Sequence, residues 1–130
     1  MTMAEPNATP VADDVALAPY HAALAEGRLL IKRCADCGKP HYYPRPHCPF
    51  CLSDRTEWEQ ASGQATVYSW SVERRAKPPY VIAFVTLAEG PTLLTNLVDV
   101  DPDAVAIGQA VRLAFEERDG APVPVFRPAG

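Results

Sequence analysis

The four cysteines are the residues whose spacing points most directly to chemistry. Cys34 and Cys37 form one C-x-x-C pair, and ten residues later Cys48 and Cys51 form a second. Each pair can form a tight knuckle with converging thiolates, and two opposed knuckles complete a tetrahedron around a divalent ion. A closed shell of four sulfurs leaves no position for water or substrate. The spacing therefore predicts a structural Zn²⁺ site rather than a catalytic one.

Iron is the alternative metal, because four thiolates also hold iron for electron transfer. The loop between the pairs is short, and the second pair is followed by Leu52 where the first is followed by Gly38. Both features favour zinc, because they leave fewer amides to point at sulfur. We expect Gly38 to adopt the left-handed backbone conformation. His41 and His47 are predicted to be polar surface residues, because four cysteines already fill the shell.

No catalytic constellation accompanies the cysteines. The sequence has no Gly-rich phosphate loop, no G-x-S-x-G elbow and no H-E-x-x-H helix, and His21 has no evident partner. One local positive cluster is formed by Arg74, Arg75 and Lys77. Three cations within four residues could contact a phosphorylated ligand. Ordinary exposed cations on a hairpin, beside Glu73, are the alternative interpretation.

The elements that must position these residues begin with a short helix. Pro19 suits the first helical turn, Gly27 suits the position after the last turn, and Tyr20 and Leu24 share one face. A helix this short is marginal alone, so it must dock either on its own domain or on a partner subunit. Residues 1–17 are predicted to form a disordered leader, because Ala, Pro, Asp, Asn and Thr dominate them.

A zinc ribbon is predicted to follow the helix within residues 18–60. Residues 28–33 read as a strand that enters the first knuckle, and residues 53–60 read as a polar connection containing Trp58. From Gly63 onward the apolar pattern has a period of two, which predicts a barrel over residues 61–130. The predicted strands are 66–72, 80–87, 92–98, 110–116 and 123–126.

Five strands in about 65 residues match the five-stranded Greek-key OB barrel, with a small open sandwich as the competing architecture. The predicted fold is therefore mainly β, with a short N-terminal helix, a zinc ribbon and a five-stranded OB-fold barrel.

Composition limits the classes of protein that fit. The chain has 130 residues and a formal net charge of −4, a balance that argues against a general nucleic-acid binder. No apolar run approaches the roughly 20 residues of a membrane span. Four cysteines without a secretory signal indicate a reducing cytoplasm, where paired cysteines hold metal more often than they form disulfides. We therefore expect a cytoplasmic protein.

Several short motifs occur in a definite order along the chain. They are residues 29–38 (LLIKRCADCG), 43–46 (YPRP), 48–51 (CPFC), Gly63 with 67–72 (VYSWSV), 78–80 (PPY), 89–90 (EG) and 126–128 (FRP). This combination resembles the domain-of-unknown-function 35 (DUF35) family of acyl-CoA-associated proteins, which pair a rubredoxin-like zinc ribbon with an OB fold. The resemblance covers residues 19–128. The family's helix often carries an aromatic–Trp pair, where this chain has Tyr20 and His21.

The resemblance implies a non-catalytic accessory subunit of an acyl-CoA-processing complex. Such proteins are usually partners of thiolase-like enzymes, or of aldolases or hydratases, and the partner holds the nucleophile. A hetero-oligomer is expected, in which this chain helps assembly and positions CoA, with a CoA thioester as ligand or shared substrate. Arg74, Arg75 and Lys77 would bind the phosphates of CoA. This contact is our hypothesis and not a family residue assignment.

Two other functions remain open. The first is a nucleic-acid-binding OB module with a structural zinc ribbon, in which Tyr68, Trp70 and Phe84 would stack on bases. Strand alternation, however, is expected to place most of these aromatics in the core. In residues 66–72 it puts Thr66, Tyr68, Trp70 and Val72 on one face. The second is an independent enzyme, either a small hydratase or a redox carrier.

Overall fold

The computed structural model describes residues 17–129. Within that range the fold is mainly β, as predicted. The elements are α1 (Ala18–Ala25), β1 (Leu30–Cys34), β2 (Pro40–His41), β3 (Thr56–Gln60), β4 (Gln64–Glu73), β5 (Tyr80–Leu87), β6 (Thr92–Leu97), β7 (Ala110–Arg118) and β8 (Ala121–Pro128). The predicted leader lies outside the described residues except for Leu17, which is buried at the start of α1.

The N-terminal helix docks on its own domain. Its first turn contains Pro19, and Gly27 beyond its end has a φ of +78°, a left-handed conformation that glycine adopts without strain. Tyr20 and Leu24 are both buried, and α1 packs against β1 and β8. Of the two docking possibilities left open by the sequence, the structure therefore shows packing within the chain.

The ribbon is a three-stranded antiparallel sheet in the order β2-β1-β3. Strand β3 lies where the sequence predicted a polar connection, so that prediction was wrong. Contacts with β1 hold it in place: Arg33 Nε donates to Glu59 Oε1 at 2.7 Å, and the Lys32 ammonium lies 4.6 Å from the ring centroid of Trp58. This strand depends on cross-strand charge and cation–π contacts rather than on apolar alternation.

The C-terminal part is a closed barrel in the order β4-β5-β6-β8-β7, with β7 pairing back onto β4. All pairs are antiparallel except the short β6–β8 pair. This connectivity is that of the predicted OB barrel, and it excludes the open sandwich. Each predicted barrel strand overlaps an observed one, and the prediction for β5 has the observed bounds.

A β-bulge in β4 changes which aromatic side chains face the core. The register of β4 against β5 shifts between Val67 and Ser69. Tyr68, the residue at this bulge, is 66% exposed. Beyond the bulge, Trp70 pairs with the buried Ala83, which places Trp70 on the inner side of the sheet, 36% exposed. The prediction that Tyr68, Trp70 and Val72 share one face was therefore wrong, because an extra residue reverses strand alternation. Phe84 is also outside the core, at 45% exposure.

The two parts of the chain share one hydrophobic core. The buried cluster joins Tyr20 of α1 and Ile31 of β1 to Val67 and Phe126 of the barrel. Gly63 turns the chain between the two sheets with a φ of +90°, and a Cβ there would lie 3.2 Å from the Cβ of Leu113. The cysteine knuckles lie outside this core. Within residues 17–129, no helix has the length and apolar character needed to cross a bilayer.

Candidate metal centre

The four cysteine sulfurs converge beside the end of β1. All four lie within 4.8 Å of one another; the Cys34 and Cys51 sulfurs are 3.5 Å apart and the Cys37 and Cys48 sulfurs 3.7 Å apart. In a tetrahedral Zn²⁺ site with Zn–S bonds of about 2.3 Å, the sulfurs stand about 3.8 Å apart. A disulfide would need about 2.05 Å. The sulfur positions therefore fit a four-thiolate metal site and do not fit disulfides.

Both knuckles have the same backbone shape. In the first, Gly38 N–H donates to the Cys34 carbonyl at 2.9 Å with a φ of +77°, as predicted for this glycine. In the second, Leu52 N–H donates to the Cys48 carbonyl at 2.9 Å with a φ of +67°. Leucine thus adopts the conformation that glycine adopts in the first knuckle. The absence of a second glycine therefore does not help to distinguish zinc from iron.

The backbone around the sulfurs favours thiolates. Cys37 N–H donates to the Cys34 sulfur at 3.4 Å and is the main cause that lowers the pKa of Cys34 to about 7. At Cys48, burial raises the pKa, but amide N–H groups of Cys51 and Phe50 outweigh that effect, so the pKa is lowered. At Cys51 the Ser53 amide also lowers the pKa, but the sulfurs of the other three cysteines and burial outweigh it and raise the pKa to about 12. Metals bind the thiolate form of cysteine, so the amides prepare the sulfurs for metal, and four sulfurs this close need a cation to be thiolates together.

One side of the site lies at the surface. Cys34 and Cys48 are buried, whereas Cys37 and Cys51 are exposed. With zinc bound, the shell would be complete because four sulfurs occupy all four positions, and not because protein covers the ion. The arrangement is typical of a metal that fixes chain geometry.

His41 is buried, at 4% exposure, so its predicted place on the surface was wrong. Its Nε2 accepts a hydrogen bond from the Arg45 amide at 3.3 Å, and β2 pairs it with Lys32 of β1. Burial lowers the pKa of His41. The pairing of β2 with β1 accounts for this burial, and so short a strand has no sequence pattern that predicts it. His47 is exposed, as predicted.

The predicted cationic cluster lies on the β4–β5 hairpin. Arg74, Arg75 and Lys77 are all exposed. Arg74 Nη2 lies 2.9 Å from Asp103 Oδ1, an exposed ion pair of the kind that contributes little to stability. Within residues 17–129, no carboxylate forms an ion pair with Arg75 or Lys77. The hairpin therefore presents two cationic side chains to the solvent.

A hydrogen-bonded pair of tyrosines, one buried and one half-buried, was not predicted from the sequence. The hydroxyls of Tyr20 in α1 and Tyr42 after β2 are 2.7 Å apart, and the ring of Tyr43 meets both of theirs edge to face. Burial is the main cause that raises the pKa of both Tyr20 and Tyr42. This contact ties the helix to the loop that leads into the second knuckle. The adjacent tyrosines in the YYPRP run were the available sequence signal.

The fold and the sulfur cluster define a protein with a zinc ribbon followed by an OB barrel. Residues 21–57 match the family model of the ChsH2 rubredoxin-like zinc ribbon domain, and residues 58–116 match that of the ChsH2 C-terminal OB-fold domain. A DUF35 domain-containing scaffold protein of Methanothermobacter thermautotrophicus is 34% identical over 92 residues, which cover 65% of this chain and 69% of that protein. The chain belongs to the DUF35 family.

Two further relatives are, by their names, a subunit of an enoyl-CoA hydratase and a chain of an aldolase. A probable enoyl-CoA hydratase alpha subunit of Thermomonospora curvata is 42% identical over 113 residues, which cover 82% of this chain. The match covers 35% of that protein, so this chain spans about a third of its length. A chain of the solved Ltp2-ChsH2(DUF35) aldolase is 38% identical with a TM-score of 0.79, and the match covers 94% of this chain and 100% of that one.

Proposed function

We propose that this chain is a non-catalytic, zinc-containing accessory subunit of a cytoplasmic complex that processes acyl-CoA thioesters. Its partner is a thiolase-like enzyme, an aldolase or a hydratase, and the chain helps to assemble the hetero-oligomer and to position CoA. The observation that carries the proposal is the likeness to a chain of the Ltp2-ChsH2(DUF35) aldolase over that chain's full length. The relatives named as a hydratase subunit and a scaffold protein support the same range of partners.

The proposed metal role is structural. Cys34, Cys37, Cys48 and Cys51 would hold one Zn²⁺, and its four sulfur ligands would leave no position for a substrate. The ion would supply a fixed crosslink between the two knuckles.

The polar groups near the ribbon support a structural role as well. Lys32 places its ammonium over Trp58 and within 3.2 Å of Thr56 Oγ1, while the hydroxyls of Tyr20 and Tyr42 pair with each other. Burial lowers the pKa of Lys32 and raises the pKa of both tyrosines. A tyrosine with a raised pKa is a poor base at neutral pH, so the two tyrosines suit packing better than proton transfer. The partner enzyme would supply the reacting groups.

Purification of the complex from its native cells tests the proposal. We expect mass spectrometry to identify a thiolase-like enzyme, an aldolase or a hydratase bound in a fixed ratio to this chain. The purified partner should turn over its acyl-CoA substrate with the chain present and lose most activity without it. Turnover of a thioester by the isolated chain would contradict the proposal, as would a stable complex with an enzyme that does not act on acyl-CoA.

The hairpin cations are the proposed CoA contact. Arg75 and Lys77 would meet the phosphates of CoA as charge-assisted donors. We expect the double variant Arg75→Ala/Lys77→Ala to weaken CoA binding by the complex at least tenfold, with a smaller effect on 3′-dephospho-CoA. Arg112→Ala, which removes an exposed cation from β7, is the matched control. Equal affinities of wild type and double variant for CoA would remove these residues from the site.

A nucleic-acid-binding OB module is the second candidate. The exposure of Tyr68 and Phe84 on the barrel favours it, since bases stack on exposed aromatics. Fluorescence titration with single-stranded oligonucleotides at low salt decides between the two functions. Micromolar or tighter binding that weakens steeply with added salt would support this candidate.

A further inference from the structure

The barrel surface is divided into an uncharged side and a charged side. Strands β5 and β6, residues 80–87 and 92–97, contain no Asp, Glu, Lys or Arg. Strand β7 carries four charged side chains: Arg112, Glu116, Glu117 and Arg118. The uncharged stretch is therefore a local property of two strands, since charged residues make up 22% of the whole chain. Arg118 of β7 borders this stretch, because its Nη2 donates to Asn96 Oδ1 of β6 at 3.0 Å.

Three large apolar side chains stand on the uncharged side. Tyr68, Phe84 and Leu94 are 66%, 45% and 60% exposed. Phe84 lies directly opposite Leu94 in the β5–β6 register and opposite Ser69, the neighbour of Tyr68, in the β4–β5 register. Since neighbouring strands are about 4.8 Å apart, these side chains form a row about 10 Å wide across three strands.

The row continues onto the ribbon. Thr92 precedes Leu94 by two residues and so lies on the same side of β6. Thr92 also borders a cavity of about 250 Å³ whose other walls include Tyr43 and Phe50 from the ribbon. Phe50, which lies within the second cysteine knuckle, is 57% exposed. We call the docking face the surface formed by Tyr43, Phe50, Tyr68, Phe84 and Leu94.

We propose that the acyl-CoA enzyme subunit binds this chain through the docking face. The inference rests on the proposed function and adds the surface through which this chain would bind its partner. Cores of protein interfaces are depleted of charge and rich in aromatic residues, and the docking face matches both properties. The barrel part of the face carries no cation of its own, whereas nucleic acid needs Lys or Arg to neutralise its phosphates. The cations that border the face lie at its ribbon end, where the Lys39 ammonium is 5.2 Å from the ring centroid of Phe50 and Arg45 lines the cavity.

The size of the face indicates that both parts of the chain take part. A stable interface buries about 800 Å² on each partner. The eight residues of β5 extend about 26 Å, so the barrel row covers a projected area of roughly 260 Å². This area is an upper bound for the barrel part, and it is smaller than a stable interface. In the proposed contact, the ribbon residues Tyr43 and Phe50 add to it through the cavity they share with Thr92. The metal centre next to Phe50 would hold that extension in place.

Aspartate substitutions in the purified complex test the proposal. Leu94→Asp and Phe84→Asp each place a carboxylate at the centre of the face, and Phe50→Asp places one at its ribbon end. Ala110→Asp is the matched control, because Ala110 is an exposed strand residue on β7. We expect the Leu94 and Phe84 variants to bind the purified enzyme subunit at least 100-fold more weakly, Phe50→Asp at least tenfold more weakly, and Ala110→Asp within threefold of wild type.

Hydroxyl-radical footprinting of the wild-type complex gives a second readout that needs no variant to fold. We expect oxidation of Tyr68, Phe84 and Leu94 to fall at least fivefold when the enzyme subunit binds. Unchanged melting temperature and metal content would show that each variant is folded.

The outcomes separate this inference from the proposed function. Wild-type affinity in Leu94→Asp, with unchanged oxidation of Tyr68 and Phe84 in the complex, would overturn the docking face and leave the accessory role intact. If no acyl-CoA enzyme binds the wild-type chain, the proposed function and this inference fail together. A wild-type dimer that becomes monomeric in Leu94→Asp would make a second copy the occupant, and oligonucleotide binding lost in Phe84→Asp would make nucleic acid the occupant. Either result overturns the proposal.

Discussion

Removal of the metal is expected to unfold the cysteine knuckles and to leave the barrel folded. Three of the 21 residues from 35 to 55 are buried, namely His41, Pro44 and Cys48. So little burial cannot offset the conformational entropy of ordering this segment. The barrel has its own closed sheet and buries Val85 and Phe126 completely. The consequence of metal loss should therefore be local.

The expected magnitude follows from the four-sulfur geometry. Zn²⁺ contributes about 10–16 kcal/mol to folding in small zinc-binding peptides near neutral pH. Whole domains are stable by only about 5–15 kcal/mol, so the knuckles cannot remain ordered after such a loss. Substitution of one ligand, as in Cys34→Ser, should lower zinc affinity far enough that the purified protein contains less than one ion per two chains.

Elemental analysis and hydrogen exchange measure these effects. Freshly reduced protein should contain one zinc ion per chain, and a mercurial reagent that titrates the thiols should release it. After release, amides of residues 34–55 should exchange rapidly while those of residues 80–87 remain protected. His47→Ala is the matched control, because His47 is exposed next to Cys48 and should not affect metal content.

Two results would refute the reasoning. Metal-free protein whose knuckle amides stay as protected as before would show that the sulfur cluster does not hold the ribbon. A coloured, iron-containing sample would show that the bound metal is iron and would support the redox-carrier alternative.

Three further predictions concern stability in urea unfolding. Phe126→Ala removes a fully buried ring and should cost about 3–5 kcal/mol, with an unchanged denaturant slope. Leu52→Gly removes the backbone strain of a leucine in the left-handed conformation (φ +67°). After the entropy cost of glycine is subtracted, the stability of the metal-bound protein should rise by about 0.5–1 kcal/mol. A loss of stability would contradict this account. Burial lowers the pKa of His41, so below about pH 6.5 the unfolded chain takes up a proton that the folded chain does not. Stability should therefore decrease as pH falls from 7 to 5, and the decrease should be smaller in His41→Gln; equal slopes would contradict the assignment.

The sequence predicted features that depend on local spacing. The two C-x-x-C pairs are close in sequence, so their convergence requires only knuckles and a hairpin. Strand β5 consists mostly of strong strand formers, including the β-branched residues Val81, Ile82, Val85 and Thr86, and its predicted bounds match the observed ones. The helix ends were also predictable, because Pro19 and Gly27 mark them by backbone geometry alone.

Features that depend on distant partners could not be predicted in this way. Strand β3 alternates Glu57, Trp58 and Glu59, and only the pairing with β1 gives those side chains partners. The bulge at Tyr68 depends on the registers of β4 with both β5 and β7, and nothing in the VYSWSV run marks it. One unpredicted bulge was enough to misplace Tyr68 and Trp70. Phe84 and Leu94 were missed for another reason, because β5 and β6 carry apolar residues on both faces and their sequences do not mark the exposed one.

The packing of α1 against β8 brings the first and last described elements together. A folded unit whose first and last elements pack together can be joined to a larger polypeptide without distortion of either part. In the hydratase relative of Thermomonospora curvata, the matching segment makes up 35% of the protein. The same architecture can thus serve as a separate subunit or as a covalently attached module, and gene fusion would then replace binding affinity with a tether.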